Sequence, residues 1–310
     1  MRKVLITDDV HPVMLEEFEA MGFSPDYFPD ITYEETEQII SNYSGLIVNT
    51  KIRVDKNLMQ RCNILEFIGR IGSGMEHIDV NYATNKGIQV FSAPEGNANA
   101  VGEHALGLLL ALLNNISKAD AEIRNGTWKR EENRGVEISG KTVGIIGFGN
   151  TGTAFAKKLK GFDCKIMAYD KYKSGFGNDD VSETSFEALI EQADIISLHI
   201  PLTSETKYMV NSSMLGAISK KFFLINTSRG GVIHTQELIA ALQSGKVLGA
   251  GLDVFENEKF YDLDPNNRQL FDTLKQLPNV VMTPHIAGWT FESKWKLAKI
   301  LTDKIKNSLV

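Results

Sequence analysis

Gly147, Gly149 and Gly152 lie in the segment Gly147-Phe-Gly-Asn-Thr-Gly152, directly after the apolar run Thr142-Val-Gly-Ile-Ile146 and directly before the helix-patterned run Thr153 to Lys160. That placement constrains the chain more than any other feature. A bare Gly-x-Gly-x-x-Gly string is weak, because glycine-rich turns are common. Between a strand and a helix each glycine has a separate reason: the first permits the sharp turn, the second admits a pyrophosphate to the backbone, and the third lets helix pack on strand. Backbone amides at the helix N-terminus then face an anion. Gly147, Phe148, Gly149, Asn150, Thr151 and Gly152 are therefore the expected phosphate loop of a dinucleotide. Twenty-three residues after Gly147, the second β-rich run, Lys165-Ile-Met-Ala-Tyr169, ends in Asp170. A carboxylate there accepts hydrogen bonds from ribose hydroxyls and repels a 2′-phosphate, which favours NAD over NADP. Lys171 and Lys173 keep NADP open as the lesser alternative.

The rest of the chain repeats the same strand-helix order. β-rich runs at 3–7, 45–49, 64–68 and 88–91 alternate with helical patterns such as 12–21 and 32–40. After the break Ala93-Pro-Glu-Gly-Asn97, one extended helix is expected from Ala98 to about Asn125. From Gly140 the alternation restarts, with strands expected at 142–147, 164–169, 194–199, 222–226, 248–252 and 279–282, and a closing helix between Trp289 and Leu309. Such alternation reads as right-handed βαβ units on parallel sheets, so both halves are α/β. The length of 310 residues, at roughly 150 per domain, suits two domains.

A net charge of −6 gives no attraction for phosphate backbones or anionic lipid, so nucleic acid and membrane are not expected partners. The longest apolar stretch, Ala105 to Leu113, falls well short of the roughly 18 residues that span a bilayer. No export signal is read at the N-terminus, and a cytoplasmic location is expected. Cys62 and Cys164 form no Cys-x-x-Cys pair, so neither a disulfide framework nor a metal site is expected.

In parallel α/β sheets, ligands sit beyond the carboxyl ends of strands. Three polar segments occupy such positions. Arg229 lies in Asn226-Thr-Ser-Arg-Gly-Gly231, after the apolar run Phe222-Phe-Leu-Ile225, where its guanidinium is able to fork a carboxylate. His285 follows Val280-Val-Met-Thr-Pro284, and histidine is the usual proton donor near neutral pH. Glu256 and Glu258 follow Leu252-Asp-Val-Phe255; a carboxylate beside His285 orients the ring and raises its pKa. Spacing alone does not choose between the two glutamates.

These segments, together with Arg70-Ile-Gly-Ser-Gly74, Ile78-Asp79, Gly140-Lys-Thr-Val-Gly-Ile-Ile-Gly-Phe-Gly149, His199-Ile-Pro-Leu-Thr203, Gly251-Leu-Asp-Val-Phe255 and Thr283-Pro-His-Ile-Ala-Gly288, stand in one order along almost the whole chain. In that order they resemble the D-isomer-specific 2-hydroxyacid dehydrogenase family. The resemblance implies two doubly wound parallel-sheet domains. One is a Rossmann NAD-binding domain over 98–286; the other is a smaller, flavodoxin-like substrate domain, discontinuous over 1–97 plus 287–310. It implies Arg229 as the group that binds the 2-oxo acid, His285 as acid–base group, and Glu258 rather than Glu256 as its partner. Backbone amides around Ser73 and Gly74 are implied to hold the substrate carboxylate. Pro201, Thr206, Thr227, Ser228, Asp253 and Gly288 are implied to line the cofactor, with Asp253 facing the nicotinamide carboxamide. A homodimer formed through the helix after Asn97 is implied as well.

The substrate follows less directly. By resemblance D-3-phosphoglycerate comes first, glyoxylate or hydroxypyruvate next; formate is disfavoured because that site uses glutamine where Glu258 stands. An NAD(H)-sensing corepressor is the alternative of another class. Family members acting on phosphoglycerate carry two arginines in the segment matching Asn49-Thr-Lys51, whereas here the cations are Lys51 and, more distantly, Arg53, Arg70 and Arg134. Lys259 stands where proline is usual, and the loop Phe260 to Phe271 is longer than usual. Trp289 replaces a residue that is often small, and packing against the first domain is expected for it over narrowing of the substrate pocket. No appended regulatory domain is expected.

Overall fold

In a computed structural model, residues 2–309 are described. The chain divides into two compact units, Met1–Ala98 with Trp289–Val310, and Asn99–Gly288.

The first unit is a five-stranded sheet built from β1 (Arg2–Ile6), β2 (Phe23–Tyr27), β3 (Gly45–Val48), β4 (Phe67–Arg70) and β5 (Gln89–Ser92), all parallel, in the order β2-β1-β3-β4-β5. The strands β3 and β4 are buried throughout, as strands covered by helices on both faces must be. Helix Phe291–Leu309 covers one face with Leu297, Ala298, Leu301 and Ile305, packed among Val4, Ile6, Phe18, Ile47 and Phe67. Burial of Leu301 and Ile305 contributes about 1.5–3 kcal/mol each. Gly69 shows how close the approach is, since a Cβ there would lie 2.6 Å from Ile47 and 3.3 Å from Leu301 and Ile305. Trp289 precedes this buried stripe and is 76% exposed, which overturns the packing expected for it.

The second unit holds β6 (Thr142–Ile146), β7 (Lys165–Tyr169), β8 (Val181–Glu183), β9 (Ile195–Leu198), β10 (Phe222–Asn226), β11 (Val247–Leu252) and β12 (Val280–Met282). All pair in parallel in the order β12-β11-β10-β9-β6-β7-β8, so the strand order reverses between β6 and β9. Apolar clusters cover both faces, one around Leu198, Leu224 and Leu252, the other around Ile145, Phe155 and Ile225. The reversal is the point at which doubly wound sheets bind their ligands.

Three elements differ from the sequence expectations. β2 lacks an expected counterpart because Ser24, Pro25 and Asp26 hide its pattern; its edge position tolerates the missing Pro25 amide. β8 is a three-residue edge strand, which makes the second sheet seven-stranded rather than six. The single long helix expected from Ala98 is two helices, Ala98–Leu113 and Ile116–Arg124, bent by 62°. Asn115 turns the chain at φ +53°, a left-handed conformation that asparagine tolerates better than most residues. The freed Leu113 carbonyl accepts from the Val136 amide at 2.9 Å. Among the described residues no single helix is long and apolar enough to cross a membrane.

Candidate active site

The carboxyl ends of β6, β7, β9, β10, β11 and β12 each lead into a segment that carries expected site residues, all within the second unit. After β6, Gly147 turns at φ +91°, and a Cβ there would lie 2.4 Å from the His199 carbonyl oxygen. At Gly152 a Cβ would lie 2.1 Å from the Gly147 carbonyl oxygen. Gly149 has no neighbour within 4 Å of its would-be Cβ, so its smallness leaves an open approach to the backbone. It also N-caps helix Asn150–Lys158, which has no side-chain cap of its own. Open backbone, an uncapped helix start and aligned peptide dipoles suit a pyrophosphate, so the residues fit a dinucleotide.

Asp170, at the end of β7, does more than await a ribose. Its Oδ2 accepts from the Phe148 amide at 2.8 Å, and its Oδ1 accepts from the amides of Tyr172 at 2.9 Å and Lys173 at 3.1 Å. The carboxylate thereby ties the glycine loop to β7, and its remaining lone pairs can take a hydroxyl. Lys171 is turned away to Glu205, at 2.7 Å, while Lys173 Nζ donates to the Phe148 carbonyl at 3.3 Å. After β9, Thr206 Oγ1 donates to the Pro201 carbonyl at 2.6 Å, so these two expected cofactor residues share one turn. His199, in the same segment, is buried against the Phe155 ring with Nε2 2.8 Å from Ser197 Oγ. Burial pushes its pKa down to about 3, so the ring is neutral and packs rather than titrates.

After β10, buried Asn226 staples its own turn. Its Oδ1 accepts from the Ser228 amide and hydroxyl at 3.0 and 2.7 Å, and its Nδ2 donates to the Arg229 carbonyl at 3.0 Å. Thr227 Oγ1 is buried with no protein partner, as a hydroxyl reserved for a ligand would be. Arg229 Nη1 donates to the Ser228 carbonyl at 2.7 Å. Gly230 lies so close to the next segment that a Cβ would meet the Phe255 carbonyl at 1.8 Å. The arginine turn and the glutamate segment are thus pressed together.

His285, after β12, sits at φ +55°, in the left-handed region, at a cost of about 1–2 kcal/mol. Asp253 holds it there. This residue is 1% exposed, and its carboxylate accepts from Thr283 Oγ1 at 2.6 Å and from the amides of Ile286 and Ala287 at 2.9 and 2.8 Å. The His285 amide donates to the Asp253 carbonyl at 2.8 Å. Burial opposes the Asp253 charge, but hydrogen bonds from His104, Thr283, Ile286 and Ala287 hold its carboxyl below the usual carboxylate range. Asp253 therefore pins the loop that carries His285. His104 closes the network from helix Ala98–Leu113, with Nε2 2.9 Å from Thr283 Oγ1 and 3.5 Å from Asp253. Nothing in the sequence reveals His104 as a participant, because its partners lie more than 140 residues away.

Of the two glutamates, Glu258 meets the ring. His285 Nδ1 donates to Glu258 Oε2 at 2.8 Å, and Glu258 Oε1 accepts from the Phe255 amide at 3.2 Å. Glu256 is engaged elsewhere, accepting from Tyr208 Oη at 2.5 Å and the Thr235 amide at 3.1 Å. Glu258 raises the His285 pKa by its hydrogen bond, against burial; its charge and that of Asp253 add to the rise, while the Arg229 guanidinium acts in the opposite sense. With Nδ1 committed to Glu258, Nε2 is the nitrogen left to exchange a proton with a ligand.

The first unit carries the other expected substrate residues. Ser73 and Gly74 follow β4, and Ser73 Oγ donates to Asn97 Oδ1 at 3.1 Å. Gly72 precedes them at φ +142°, and Arg70 is 9% exposed with Nη1 donating to the Ile71 carbonyl at 2.8 Å. Lys51, after β3, donates to the Pro29 carbonyl, and the Asn49 amide donates to Asp8 at 2.9 Å. Arg134, in the second unit, pairs with Glu131 on the surface at 2.6 Å.

Residues 106–287 match the family model described as D-isomer specific 2-hydroxyacid dehydrogenase, NAD binding domain. The chain is 32% identical over 307 residues to a D-3-phosphoglycerate dehydrogenase of Archaeoglobus fulgidus, across 98% of its own length and 57% of that protein's. It is 37% identical over 275 residues to a glyoxylate reductase of Thermococcus litoralis, covering 86% of this chain and 80% of that one. Among solved structures, a D-lactate dehydrogenase of Aquifex aeolicus complexed with NAD and lactic acid is similar with a TM-score of 0.85 at 26% identity, covering 99% of this chain and 95% of that one. The chain thus spans little more than half of the phosphoglycerate dehydrogenase and most of the two others. A phosphate loop at the sheet reversal, an arginine turn and a glutamate-paired histidine, with matches of this extent, place the chain in the D-isomer specific 2-hydroxyacid dehydrogenase family.

Proposed function

We propose that the protein transfers a hydride between a D-2-hydroxy acid and NAD. The observation that carries this reading is the His285–Glu258 pair, 2.8 Å apart, at the strand ends of the unit that bears the glycine loop, with the Arg229 turn pressed against the glutamate segment at Gly230 and Phe255. When bound, NAD would supply or collect the hydride. Gly147 to Gly152, Asp170, Pro201, Thr206, Thr227, Ser228, Asp253 and Gly288 would hold it. In reduction, protonated His285 gives its Nε2 proton to the oxygen of the 2-oxo group, and Arg229 stabilises the negative charge that develops there. In oxidation the neutral ring takes that proton back. Ser73 and Gly74 amides are the proposed holders of the substrate carboxylate, and Lys51 is a further proposed substrate residue; a carboxylate held against rotation keeps the reacting carbon aligned.

For the substrate, D-3-phosphoglycerate is the first reading, supported by phosphoglycerate dehydrogenase relatives at 31–34% identity that align with nearly the whole chain. One observation favours a second reading, reduction of glyoxylate or hydroxypyruvate. Lys51 is turned to the Pro29 carbonyl and Arg70 to the Ile71 carbonyl, so two of the cations that a phosphate needs are already engaged. A panel of 2-oxo acids, phosphorylated and not, followed by nicotinamide absorbance with NADH and NADPH, decides between them. Fastest turnover of 3-phosphohydroxypyruvate supports the first reading, fastest turnover of glyoxylate or hydroxypyruvate the second, and turnover of no acid contradicts both.

We also propose a homodimer. Ile116, Ile123, Trp128 and Val136 are large apolar residues exposed on helix Ile116–Arg124 and the segment after it, and Trp128 is 82% exposed. Exposed apolar groups of this size, following one another along one stretch of chain, suit an interaction surface. Sedimentation equilibrium is expected to give the mass of two chains.

A further inference from the structure

The pairing of Glu258 with His285 depends on how the segment between β11 and helix Pro265–Leu274 is held, and two of its restraints lie outside the catalytic groups. The first is polar. Glu256 points away from the ring, two residues before Glu258, and its carboxylate joins Tyr208 Oη at 2.5 Å to the Thr235 amide at 3.1 Å. Thr235 opens helix Thr235–Gln243, whose N-cap, His234, supplies no side-chain cap. Glu256 therefore satisfies an orphan amide and places negative charge at the positive end of the helix dipole. The second restraint is apolar. Phe260 packs against Phe255 and Phe271 at 5.5 and 4.7 Å, and its carbonyl accepts from Arg268 at 2.6 Å.

Tyr208 makes the polar restraint notable. It adopts φ +53°, a conformation that disfavours a bulky side chain, where glycine or asparagine would sit without strain. Its ring lies edge-on to His234 at 5.1 Å, its amide donates to the Gly231 carbonyl at 2.9 Å, and its hydroxyl reaches Glu256. Gly231 belongs to the arginine turn, so Tyr208 touches that turn through its backbone and the glutamate segment through its side chain.

We propose that Tyr208 and Glu256 are positioning residues that hold the segment so that Glu258 meets His285, and thereby set the proton affinity of the catalytic ring. This rests on the dehydrogenase reading only for its effect on turnover. The charged groups facing His285 are Glu258, Arg229 and Asp253, with His104 behind Asp253; the titratable groups facing Glu256 are Tyr208 and His234, with Glu237 3.8 Å beyond His234. Loosening the restraint weakens the Glu258 contact and leaves burial and Arg229 to act on the ring, so the His285 pKa falls.

The test compares the full-length parent with Tyr208→Phe, Tyr208→Asn, Glu256→Ala and Glu256→Gln. Titration of the His285 ring by NMR, assigned by its loss in His285→Gln, is read beside the pH profile of 2-oxo acid reduction and the melting temperature. Both Tyr208 variants and Glu256→Ala are expected to lower the His285 midpoint by about half a unit or more. Glu256→Gln, which keeps a carbonyl acceptor, is expected to recover part of that shift. Tyr208→Asn relieves the backbone, so its melting temperature stays level or rises while the midpoint still falls; a purely structural role would move both together. Unchanged midpoints in all folded variants would overturn the proposal. Ring titration needs no substrate, so a parent that turns over no acid would contradict the dehydrogenase reading and still leave the positioning role decided.

Discussion

Replacement of His285 by glutamine is expected to lower turnover about a thousandfold in both directions, within the range for loss of a general acid–base group. Glutamine keeps a hydrogen-bonding side chain of similar reach but neither donates nor accepts a proton at neutral pH. NAD binding, read by calorimetry, is expected to change little, because the phosphate loop, Asp170 and the 201–206 turn are formed by other segments. The backbone at 285 gives a useful control. His285→Asn is compatible with φ +55°, so it removes the ring while preserving the loop that Asp253 pins. If either variant retained turnover within tenfold of the parent, another group would have to supply the proton.

The second large effect is expected at Arg229. Arg229→Ala removes both the fork for the substrate anion and the charge that steadies the developing oxyanion, and kcat/KM is expected to fall by a factor of about 10³ or more. Arg229→Lys is not expected to restore it, since an ammonium cannot reproduce two parallel hydrogen bonds. There is a signature beyond rate. Arg229 lowers the proton affinity of His285, so its loss moves the ring's midpoint to higher pH. Removing Glu258 moves the midpoint the other way. Two neighbours of one ring with opposite effects on its titration separate the roles of charge donor and charge partner. The same variant also addresses the corepressor alternative, because a protein that only sensed NAD(H) would keep its binding function without Arg229.

Much of this arrangement is legible in the sequence because parallel sheets impose a regular order: each strand ends in a polar segment, and ligands gather there. Gly147, Arg229 and His285 are visible for that reason, each following an apolar run in the second half. Local punctuation accounts for what is less visible. β2 contains Pro25 between two polar residues, and the break at Asn115 falls inside a helical pattern that continues on both sides. Contacts distant in sequence account for the rest. Asp253 is found as a loop pin only through donors 30 to 34 residues on and through His104 far upstream, and Glu256 meets Tyr208 across 48 positions. Residue spacing leaves Glu256 and Glu258 equivalent; the structure separates them because the chain bends at Glu256, which sends that carboxylate to Tyr208 and Thr235 and leaves Glu258 to His285.

The structural pairing also has a pH consequence for stability. His285 has a raised pKa in the folded state, so the stabilisation its pairing confers is fully present below the unfolded histidine pKa and is lost as pH rises through the folded one. Because the ring is half exposed, the effect on stability is small compared with that on turnover.

The central claim is that one ring, tuned by one carboxylate, exchanges the proton of a 2-oxo acid in both directions. The pH dependence of kcat/KM for reduction and for oxidation, measured in the parent and in Glu258→Gln, tests it most directly. The expected result is that reduction falls and oxidation rises through a common midpoint above the ordinary histidine value, and that Glu258→Gln carries that midpoint to lower pH. Profiles that Glu258→Gln leaves unmoved, or that rise and fall together in both directions, would contradict it.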